Sequence, residues 1–492
     1  STLQKVKRLG VAFVIAGSIA PAPVGAQERV DSAMITRIRD EGLNHSRVEA
    51  FFDHLTNVIG PRLTASPAFK DAADWAAAQL RSYELANVHL ESWPFGRGWT
   101  LERLVLEMVT PRYFPLIGYP EAWSPSTAGE IVARPVYIGD FANADSVRAH
   151  AAELRGAIVL PYRPQERFIT SDRQQPTEHE QAVPIGAPSA IVAAGPARGA
   201  ALNALLREVH AAAVLRPTQG SDGTIFVQGG LPNTPADAVP SIIVAAEHYN
   251  LLVRGLASGA PVTVRVNLRT RFYTADTNGY NVVAEIPGSD PRMGDEVVLL
   301  GAHLDSWHAA TGATDNADAV ATLMEAMRIL KATGARPRRT IRMALWGGEE
   351  EGLLGSKAYA QQHYAGDANA AARDKFSVYL NQDPGTGPIY GWYLQGNEAV
   401  KPIFDAWLAP FRDLGARRNV IDRIGSTDHL SFTALGLPGF NTIQDYRDYD
   451  TREHHTNMDF FERVGGDDLK QAAIVLASFA WHAATRDAKI PR

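Results

Sequence analysis

The sequence contains no cysteine among its 492 residues. This absence excludes disulfide bonds, a lipid-modified cysteine anchor and any metal site built on thiolates. The chain also lacks a large net charge, because its 48 lysines and arginines nearly balance its 54 acidic residues and leave a net charge of −6. Without a broad basic surface, we expect no binding to nucleic acid or to an anionic membrane. A hydrophobic content of 45% in a chain this long predicts two or three domains with substantial cores.

The apolar run at residues 9–20 is shorter than the about 20 residues that a membrane span needs. Three basic residues precede it: Lys5, Lys7 and Arg8. The small residues of Val24-Gly-Ala26 follow it. This order is typical of a secretory signal peptide over residues 1–26, with a buried N-terminal helix as the alternative. We therefore expect a periplasmic or secreted protein whose mature chain begins at Gln27.

Imidazole and carboxylate side chains are concentrated on three short segments. They are His303-Leu-Asp305, Thr314-Asp315-Asn316 and Glu349-Glu350-Glu351. The apolar runs 297–300 and 341–345 precede two of these segments and are typical of buried strands in a parallel sheet. Because ligands of open α/β sheets bind at the carboxyl ends of the strands, we expect the polar residues to emerge on one edge.

Asp315 is expected to open a helix. The helical spacing comes from Val320, Leu323, Met324, Met327 and Leu330. A carboxylate in the first turn of a helix is favoured by the exposed N–H groups and by the helix dipole. The position of Asp315 would then be set by the packing of that helix.

These residue types suit a metal site. Two cations held together in a chain without thiols require carboxylates and imidazoles, and zinc is the leading metal. A lone His-x-Asp is equally consistent with a surface pair or a capped turn. A surface pair or capped turn would have to explain all three of these segments at once, so the metal site is the better hypothesis.

With these motifs the chain resembles the family of co-catalytic zinc aminopeptidases and carboxypeptidases, in particular its plasma glutamate carboxypeptidase branch. The resemblance continues into Tyr379-Leu-Asn-Gln-Asp383, Gly425-Ser-Thr-Asp428-His-Leu-Ser-Phe432 and His454-His455-Thr-Asn-Met-Asp459. It implies one zinc ion on His303 and Asp383, a second on Glu350 and His455, and Asp315 bridging both. In the family, two cations roughly 3.5–4 Å apart activate a shared water for amide hydrolysis. Glu349 would be the general base.

The resemblance implies further roles around the ligands. Asp305 would be a carboxylate that orients His303, as metal-bound histidines usually require. His454 stands where relatives often carry a tyrosine thought to polarise the scissile carbonyl, and it would take that role as a hydrogen-bond donor. Asp428 and His429 either contact the substrate or cap the following helix.

Two other polar residues are expected to have no part in the chemistry. His308 is predicted to be a loop residue rather than a ligand. Glu351 is predicted to be a charge at a helix N-terminus.

The predicted fold is α/β, a mixed and mostly parallel sheet flanked by helices, as in zinc exopeptidases. Residues 27–126 would begin the peptidase domain, and residues 271–492 would complete it with the dizinc site. Between them, residues 127–270 show short β-like runs and alanine-rich helical segments. This layout resembles a β-rich protease-associated domain inserted into the peptidase.

The insert would lie beside the predicted metal site and limit the length of the substrate. Its alternative role is in folding or in contacts between two copies of the chain, as in a homodimer. Three aromatic residues before it are expected to face either the cleft or the core: Trp93, Phe95 and Trp99.

The function implied is that of a dizinc exopeptidase acting on dipeptides or short peptides with a free N-terminus. One alternative is a single-zinc glutaminyl cyclase of the same fold, against which the retention of His303, Asp315 and Asp383 argues. Another is a non-catalytic receptor of the transferrin-receptor kind. Such relatives lose metal ligands, whereas this chain has all five.

Overall fold

The computed structural model describes residues 28–176, 195–227, 229 and 231–492, and for residues 195–198 it describes the backbone. The predicted signal peptide, residues 1–26, lies outside the described residues. Within them, no helix has both the length and the apolar character needed to cross a membrane.

The described strands form three sheets. Numbered in chain order they are β1 (Ala86–Pro94), β2 (Gly98–Thr110), β3 (Phe114–Pro115), β4 (Gly118–Pro120), β5 (Ile131–Ala133), β6 (Val136–Tyr137), β7 (Ile158–Leu160), β8 (Ala213–Pro217), β9 (Ser241–Val244), β10 (Thr263–Tyr273), β11 (Asn278–Ile286), β12 (Val297–His303), β13 (Thr340–Trp346), β14 (Phe376–Asn381), β15 (Thr386–Tyr393) and β16 (Gly439–Asp445).

The described helices are α-helices and shorter helical turns. The α-helices are Ser32–Asn44, Val48–Asp53, Pro67–Ser82, Ala144–Ala149, Ala151–Leu154, Gly195–Glu208, Ala246–Ala257, Asp318–Ala332, Leu354–Tyr364, Ala370–Lys375, Lys401–Leu408, His429–Thr433 and Gly466–Thr485. Shorter 3₁₀ and π-helical turns are His54–Ile59, Ala313–Ala317, Asp367–Asn369, Glu398–Val400, Ala409–Leu414, Tyr449–Glu453 and Phe461–Arg463.

The central sheet has seven strands in the order β1-β11-β13-β12-β14-β16-β15. Its four middle strands, β13, β12, β14 and β16, are parallel, while β11, β1 and β15 join antiparallel at the edges. The predicted strands at 297–300 and 341–345 are β12 and β13, which are parallel neighbours. The predicted α/β fold with a mixed, mostly parallel sheet is therefore confirmed.

Both faces of this sheet are buried under helices. Because successive side chains of a strand point to opposite faces, Val298 and Leu300 pack into one core and Val297 and Leu299 into another. Each such side chain contributes about 1.5–3 kcal/mol by its burial. The first core includes the long helices Asp318–Ala332 and Gly466–Thr485. This packing determines where the carboxyl ends of the parallel strands lie, and with them the candidate ligands.

Residues 98–273 contain two smaller sheets, in the part of the chain where the sequence predicts an inserted domain. One has the order β3-β2-β10-β5 and the other β4-β9-β8-β7-β6. Strand β2 pairs with β10 along most of its length, although the sequence placed residues 98–126 with the peptidase domain. Its register reaches from Gly98 to Thr110. We therefore propose that the insert begins near residue 98, ahead of the predicted boundary at residue 127.

Candidate functional site

Three of the predicted site segments begin at the carboxyl ends of parallel strands in the central sheet. His303 is the last residue of β12, Glu349 follows β13, and Asp383 follows β14. Strand β12 is the parallel neighbour of both β13 and β14, so the three carboxyl ends meet. The prediction that the candidate ligands emerge on one edge is therefore confirmed.

Gly347 and Gly348 shape the turn that follows β13. Gly348 has φ +69°, and a Cβ there would lie 2.6 Å from the ring of Trp93. A Cβ on Gly347 would lie 2.7 Å from the carbonyl oxygen of Tyr280. The close backbone approach at this turn thus depends on glycine at both positions.

Asp315 does not open a helix, so that prediction is wrong. The α-helix begins at Asp318, and the backbone of Asp315 is non-helical, with φ −132° and ψ 78°. The reason is a competing partner: the main-chain N–H groups of Thr314 and Asp315 donate to the carboxylate of Asp459, over 2.8 and 3.2 Å. Asp315 is placed by this contact and not by the helix dipole.

A first cluster of donors forms around His303. Its Nε2 lies 3.1 Å from Oδ1 of Asp315 and 3.8 Å from Oδ2 of Asp383. One donor atom from each residue lies within 4.8 Å of the other two. The three side chains are at most 7% exposed. They have the residue types and spacing that could hold one metal ion.

A second cluster forms on the other oxygen of Asp315. Nε2 of His455 lies 3.3 Å from Oδ2 of Asp315 and 2.8 Å from Oε2 of Glu350. The carboxylate of Asp315 therefore stands between the imidazoles of His303 and His455. His454 is close as well, with its ring centroid 3.7 Å from that of His455.

The close packing of imidazoles and carboxylates in the two clusters shifts the pKa values of these groups. Burial would lower the pKa of His303, but the surrounding carboxylates raise it well above its ordinary value. Burial raises the pKa of Asp383 to about 6, and it raises that of Glu350 well above the usual range. Burial acts the same way on Asp315, but the hydrogen-bonding imidazole of His303 outweighs it and lowers the pKa. Buried carboxylates are stabilised in their charged form when a cation lies beside them.

The donor set fits zinc. Oε1 of Glu350 is buried and accepts no hydrogen bond from the described residues. Imidazole nitrogen and carboxylate oxygen are ligands that zinc accepts. Asp315 is shared by two groups of possible metal donors among the described residues, one with His303 and Asp383 and the other with His454 and His455.

Asp305 is fully buried beside these clusters, and Oδ1 of its carboxylate lies 3.8 Å from Nδ1 of His303. Its carbonyl oxygen, not its carboxylate, accepts the hydrogen bond from Nδ1 of His303, over 3.0 Å. The carboxylate instead accepts the main-chain N–H groups of Glu349 and Glu350, each over 3.2 Å. Asp305 thus connects His303 to the turn that carries the two glutamates.

Glu351 is not a charge at a helix N-terminus. The following helix begins only at Leu354, after Leu353 adopts a left-handed conformation with φ 62°. Both carboxylate oxygens of Glu351 are buried. Burial, followed by the neighbouring Asp305 carboxylate, raises the pKa of Glu351 well above its usual range. The turn therefore carries this side chain inward.

Asp428 and His429 are both fully buried. Asp428 occupies the N-cap position of the helix His429–Thr433, but its side chain makes no capping hydrogen bond. Burial raises its pKa to about 7. Nε2 of His429 donates to the carbonyl oxygen of Ile424 over 3.2 Å, and burial lowers the pKa of His429 to about 4. Their substrate-binding role stays a prediction, and their burial favours a structural role.

Of the remaining candidates, Trp93 and Trp99 are buried, whereas Phe95 and His308 are partly exposed. Trp99 is fully buried and its indole N–H donates to the carbonyl oxygen of Ser124 over 2.8 Å. Trp93 is buried as well, and Phe95 packs edge-on against it. His308 lies in a loop, as predicted, and Nε2 donates to a main-chain carbonyl.

Sequence reasoning assigned no role to two residues that shape the site. Asp459 places Asp315, as described above. The buried guanidinium of Arg62 donates to the carbonyl oxygens of Leu304 over 2.9 Å and of Gly312 over 2.9 Å, and so joins the segments after His303 and before Asp315. Asp459 lies in the string His454-His455-Thr-Asn-Met-Asp459 that resembles the family, and that was the available signal for it.

Comparisons with known proteins agree with this geometry. Residues 281–480 match the model of Peptidase family M28. Carboxypeptidase Q of Homo sapiens is 26% identical over 439 residues, covering 89% of this chain and 85% of that protein. The solved structure of a Peptidase M28 precursor from Shewanella amazonensis SB2B superposes with a TM-score of 0.71 at 26% identity, covering 94% of this chain and 98% of that one.

A more distant structure shares the fold. It is BSAP, a zinc aminopeptidase from Bacillus subtilis, with a TM-score of 0.59 at 18% identity over 90% of this chain and 96% of that one. The match to the family model covers the segments that carry the two donor clusters. Residues 281–480 therefore match Peptidase family M28, the chain is similar to carboxypeptidase Q over most of its length, and the prediction of a zinc metallopeptidase is confirmed.

Proposed function

We propose that the protein is a dizinc exopeptidase that hydrolyses the amide bond of dipeptides or short peptides with a free N-terminus. The observation that carries the proposal is the position of Asp315. Its two carboxylate oxygens face two imidazoles, His303 at 3.1 Å and His455 at 3.3 Å. One carboxylate between two donor clusters suits a pair of neighbouring cations.

The proposed ligand sets follow from the two clusters. His303 and Asp383 would hold one zinc ion, Glu350 and His455 the other, and Asp315 would bridge them. When bound, the pair supplies Lewis acidity, which lowers the pKa of water and balances the charge on a reacting carbonyl oxygen.

Glu349 is the proposed general base. Its Oε2 lies 4.0 Å from Nε2 of His303, farther away than the oxygens of Asp315 at 3.1 Å and Asp383 at 3.8 Å. Burial raises its pKa well above the usual range, and a carboxylate with a raised pKa is a better proton acceptor. Glu349 would take a proton from the attacking water and pass it to the leaving amine.

His454 is the proposed donor to the oxygen of the scissile carbonyl. One of its ring nitrogens lies within 4.8 Å of a carboxylate oxygen of Asp315 and of a ring nitrogen of His455. Burial lowers the pKa of His454, so the ring is neutral at pH 7 and donates through one N–H. That N–H would stabilise the negative charge that develops on the carbonyl oxygen.

The buried carboxylates also suggest the substrate class. Acidic side chains beside a metal edge hold an ammonium group by charge-assisted hydrogen bonds, which favours a free N-terminus. The relatives carry names of both kinds, carboxypeptidase Q and aminopeptidase. A dipeptide reconciles the two names, because its single peptide bond adjoins both termini.

The direct test is hydrolysis by the zinc-loaded protein of a panel in which each dipeptide has an N-acetylated dipeptide and a tripeptide as partners. We expect turnover of the free dipeptides, little turnover of the acetylated forms, about two zinc ions per chain and loss of activity to a chelator. Equal turnover of a dipeptide and its acetylated form would argue for an amidase or a carboxypeptidase. Full activity with one zinc ion or fewer would rule out the dizinc mechanism.

A further inference from the structure

The loop that carries His454 and His455 has an unusual backbone. This histidine loop, residues 446–457, contains two non-glycine residues in the left-handed region, Asp448 with φ 63° and His455 with φ 60°. That conformation costs free energy for any residue with a Cβ. It persists where the surroundings over-determine it, and such positions concentrate at functional sites.

Both left-handed residues are hydrogen-bonded to the inserted region. The main-chain N–H of Asp448 donates to Oδ2 of Asp172 over 2.8 Å. Oδ1 of Asp172 accepts two more hydrogen bonds, from the main-chain N–H and the hydroxyl of Thr451, each over 2.9 Å. At the other end, the N–H of Val227 donates to the carbonyl oxygen of His455 over 2.8 Å. The insert therefore holds the loop at the two places where its backbone is strained.

Arg173 adds a side-chain connection next to Asp172. Its Nε and Nη2 donate to the carboxylate of Asp450, over 2.9 and 2.6 Å, in a pair whose side chains are 7% and 8% exposed. The guanidinium also lies over the ring of Tyr449, 5.3 Å from its centroid. The ring of Tyr449 stacks on that of His454, with centroids 5.2 Å apart. A continuous stack thus runs from the insert to the candidate carbonyl donor.

We propose that the inserted region positions the imidazole of His455 by clamping the histidine loop at both left-handed residues. Asp172 and Arg173 are positioning residues of this clamp, and the N–H of Val227 is its second contact. The proposal rests on the proposed function, in which His455 is a ligand of the second zinc ion. It gives the insert a part in metal binding in addition to bordering the cleft.

The test compares Asp172→Ala and Arg173→Ala with Arg163→Ala in the full chain. Arg163 is the matched control, because it pairs with Asp140 in the same region and both side chains are largely exposed, 75% and 65%. Each metal-free protein is titrated with Co²⁺ and followed by visible absorption, and amide hydrogen exchange is measured over the histidine loop. We expect the second metal to bind about 10–100-fold more weakly in the two clamp variants. The first metal should bind as in the wild type.

Exchange of the Asp448 and Thr451 amides should be faster in Asp172→Ala and unchanged in Arg163→Ala. Excess zinc should restore most of the activity of the clamp variants. Wild-type binding of both metals with unchanged exchange in both clamp variants would overturn the proposal.

Two further outcomes are separable. If Asp172→Ala does not fold, Asp172→Asn keeps one acceptor oxygen, and an intermediate loss of second-metal affinity is then expected. Wild-type affinity in that variant would count against the clamp. If the wild type itself binds one metal ion, the dizinc proposal fails, and the exchange of the loop amides alone decides the clamp.

Discussion

The main chain of Glu349 is tied to the carboxylate of Asp305, because its N–H donates to Oδ1 over 3.2 Å. The N–H of Glu350 donates to the other carboxylate oxygen over the same distance. The carbonyl oxygen of Asp305 accepts from Nδ1 of His303. Asp305 thus links His303, a proposed ligand, to the turn that carries the proposed base Glu349 and the proposed ligand Glu350.

This arrangement predicts that Asp305→Asn lowers activity without removing a ligand. An asparagine side chain has one oxygen to accept two N–H groups, and its own NH₂ would face the other. Loss of such outer contacts typically costs about 10–100-fold in activity or metal affinity. Steady-state kinetics on a dipeptide measures the effect. Asp145→Asn, at a carboxylate 90% exposed, is the control. Wild-type kinetics in Asp305→Asn would show that its hydrogen bonds do not position the glutamates.

Glu349 and Glu350 are neighbours with different proposed roles. We expect Glu349→Gln to retain both metal ions and lose about 10²–10⁴-fold in turnover, the usual contribution of a general base, with KM little changed. Glu350→Gln should weaken the second zinc ion, because an amide is a poorer ligand than a carboxylate, and excess zinc should restore part of its activity. Metal analysis and kinetics on both variants check this. Zinc rescue of Glu349→Gln, with Glu350→Gln inactive and fully loaded, would reverse the two roles.

Substitution of His454 tests the proposed carbonyl donor. His454→Ala removes the N–H near the second cluster, and loss of one such donor in other hydrolases costs about 10²–10³ in turnover. His454→Gln keeps a donor and should lose less. The readout is kcat, with zinc content measured in parallel. A His454→Ala enzyme within a few-fold of wild type would limit His454 to support of the loop.

His308 predicts how stability depends on pH. Its Nε2 donates to the carbonyl oxygen of Pro120 over 2.8 Å, whereas Nδ1 is buried and has no hydrogen-bond partner among the described residues. Burial therefore lowers the pKa of His308 to about 4. In the unfolded chain His308 binds a proton more tightly than in the folded protein. The contribution of His308 to the free energy of unfolding is therefore fully present above about pH 6.5 and is lost as the pH falls towards the folded pKa.

We expect His308→Gln to lose less stability on acidification than the wild type does. The difference is at most about 1.4 kcal/mol per pH unit between pH 6.5 and 4.5. Denaturant unfolding of both proteins at several pH values measures it. Because other buried histidines titrate in the same range, the comparison concerns the slope of stability with pH and not its value at one pH. Equal slopes would show that His308 does not contribute.

Much of the site was accessible from short segments of sequence. Polar residues directly after the apolar runs of β12 and β13 predicted that the candidate ligands lie close together, because neighbouring parallel strands have their carboxyl ends on the same side of the sheet. The helical spacing after Asp315 predicted the helix that begins at Asp318, but not the backbone of Asp315 itself. The N–H groups of that segment bond to the distant Asp459, and no local pattern contains such a partner.

By itself, the sequence determined the residue types of the site, the α/β class and the exclusion of thiolate ligands. These follow from composition, strand and helix periodicity, and motifs a few residues long. Only the tertiary structure decided that the carbonyl oxygen of Asp305 accepts from His303, that the carboxylate oxygens of Glu351 are buried, and that Asp172 and Arg173 contact the histidine loop. The contacts of Asp172 and Arg173 join residues more than 270 positions apart. Such contacts form only when the packed cores bring those segments together, so they leave no periodic trace in the chain.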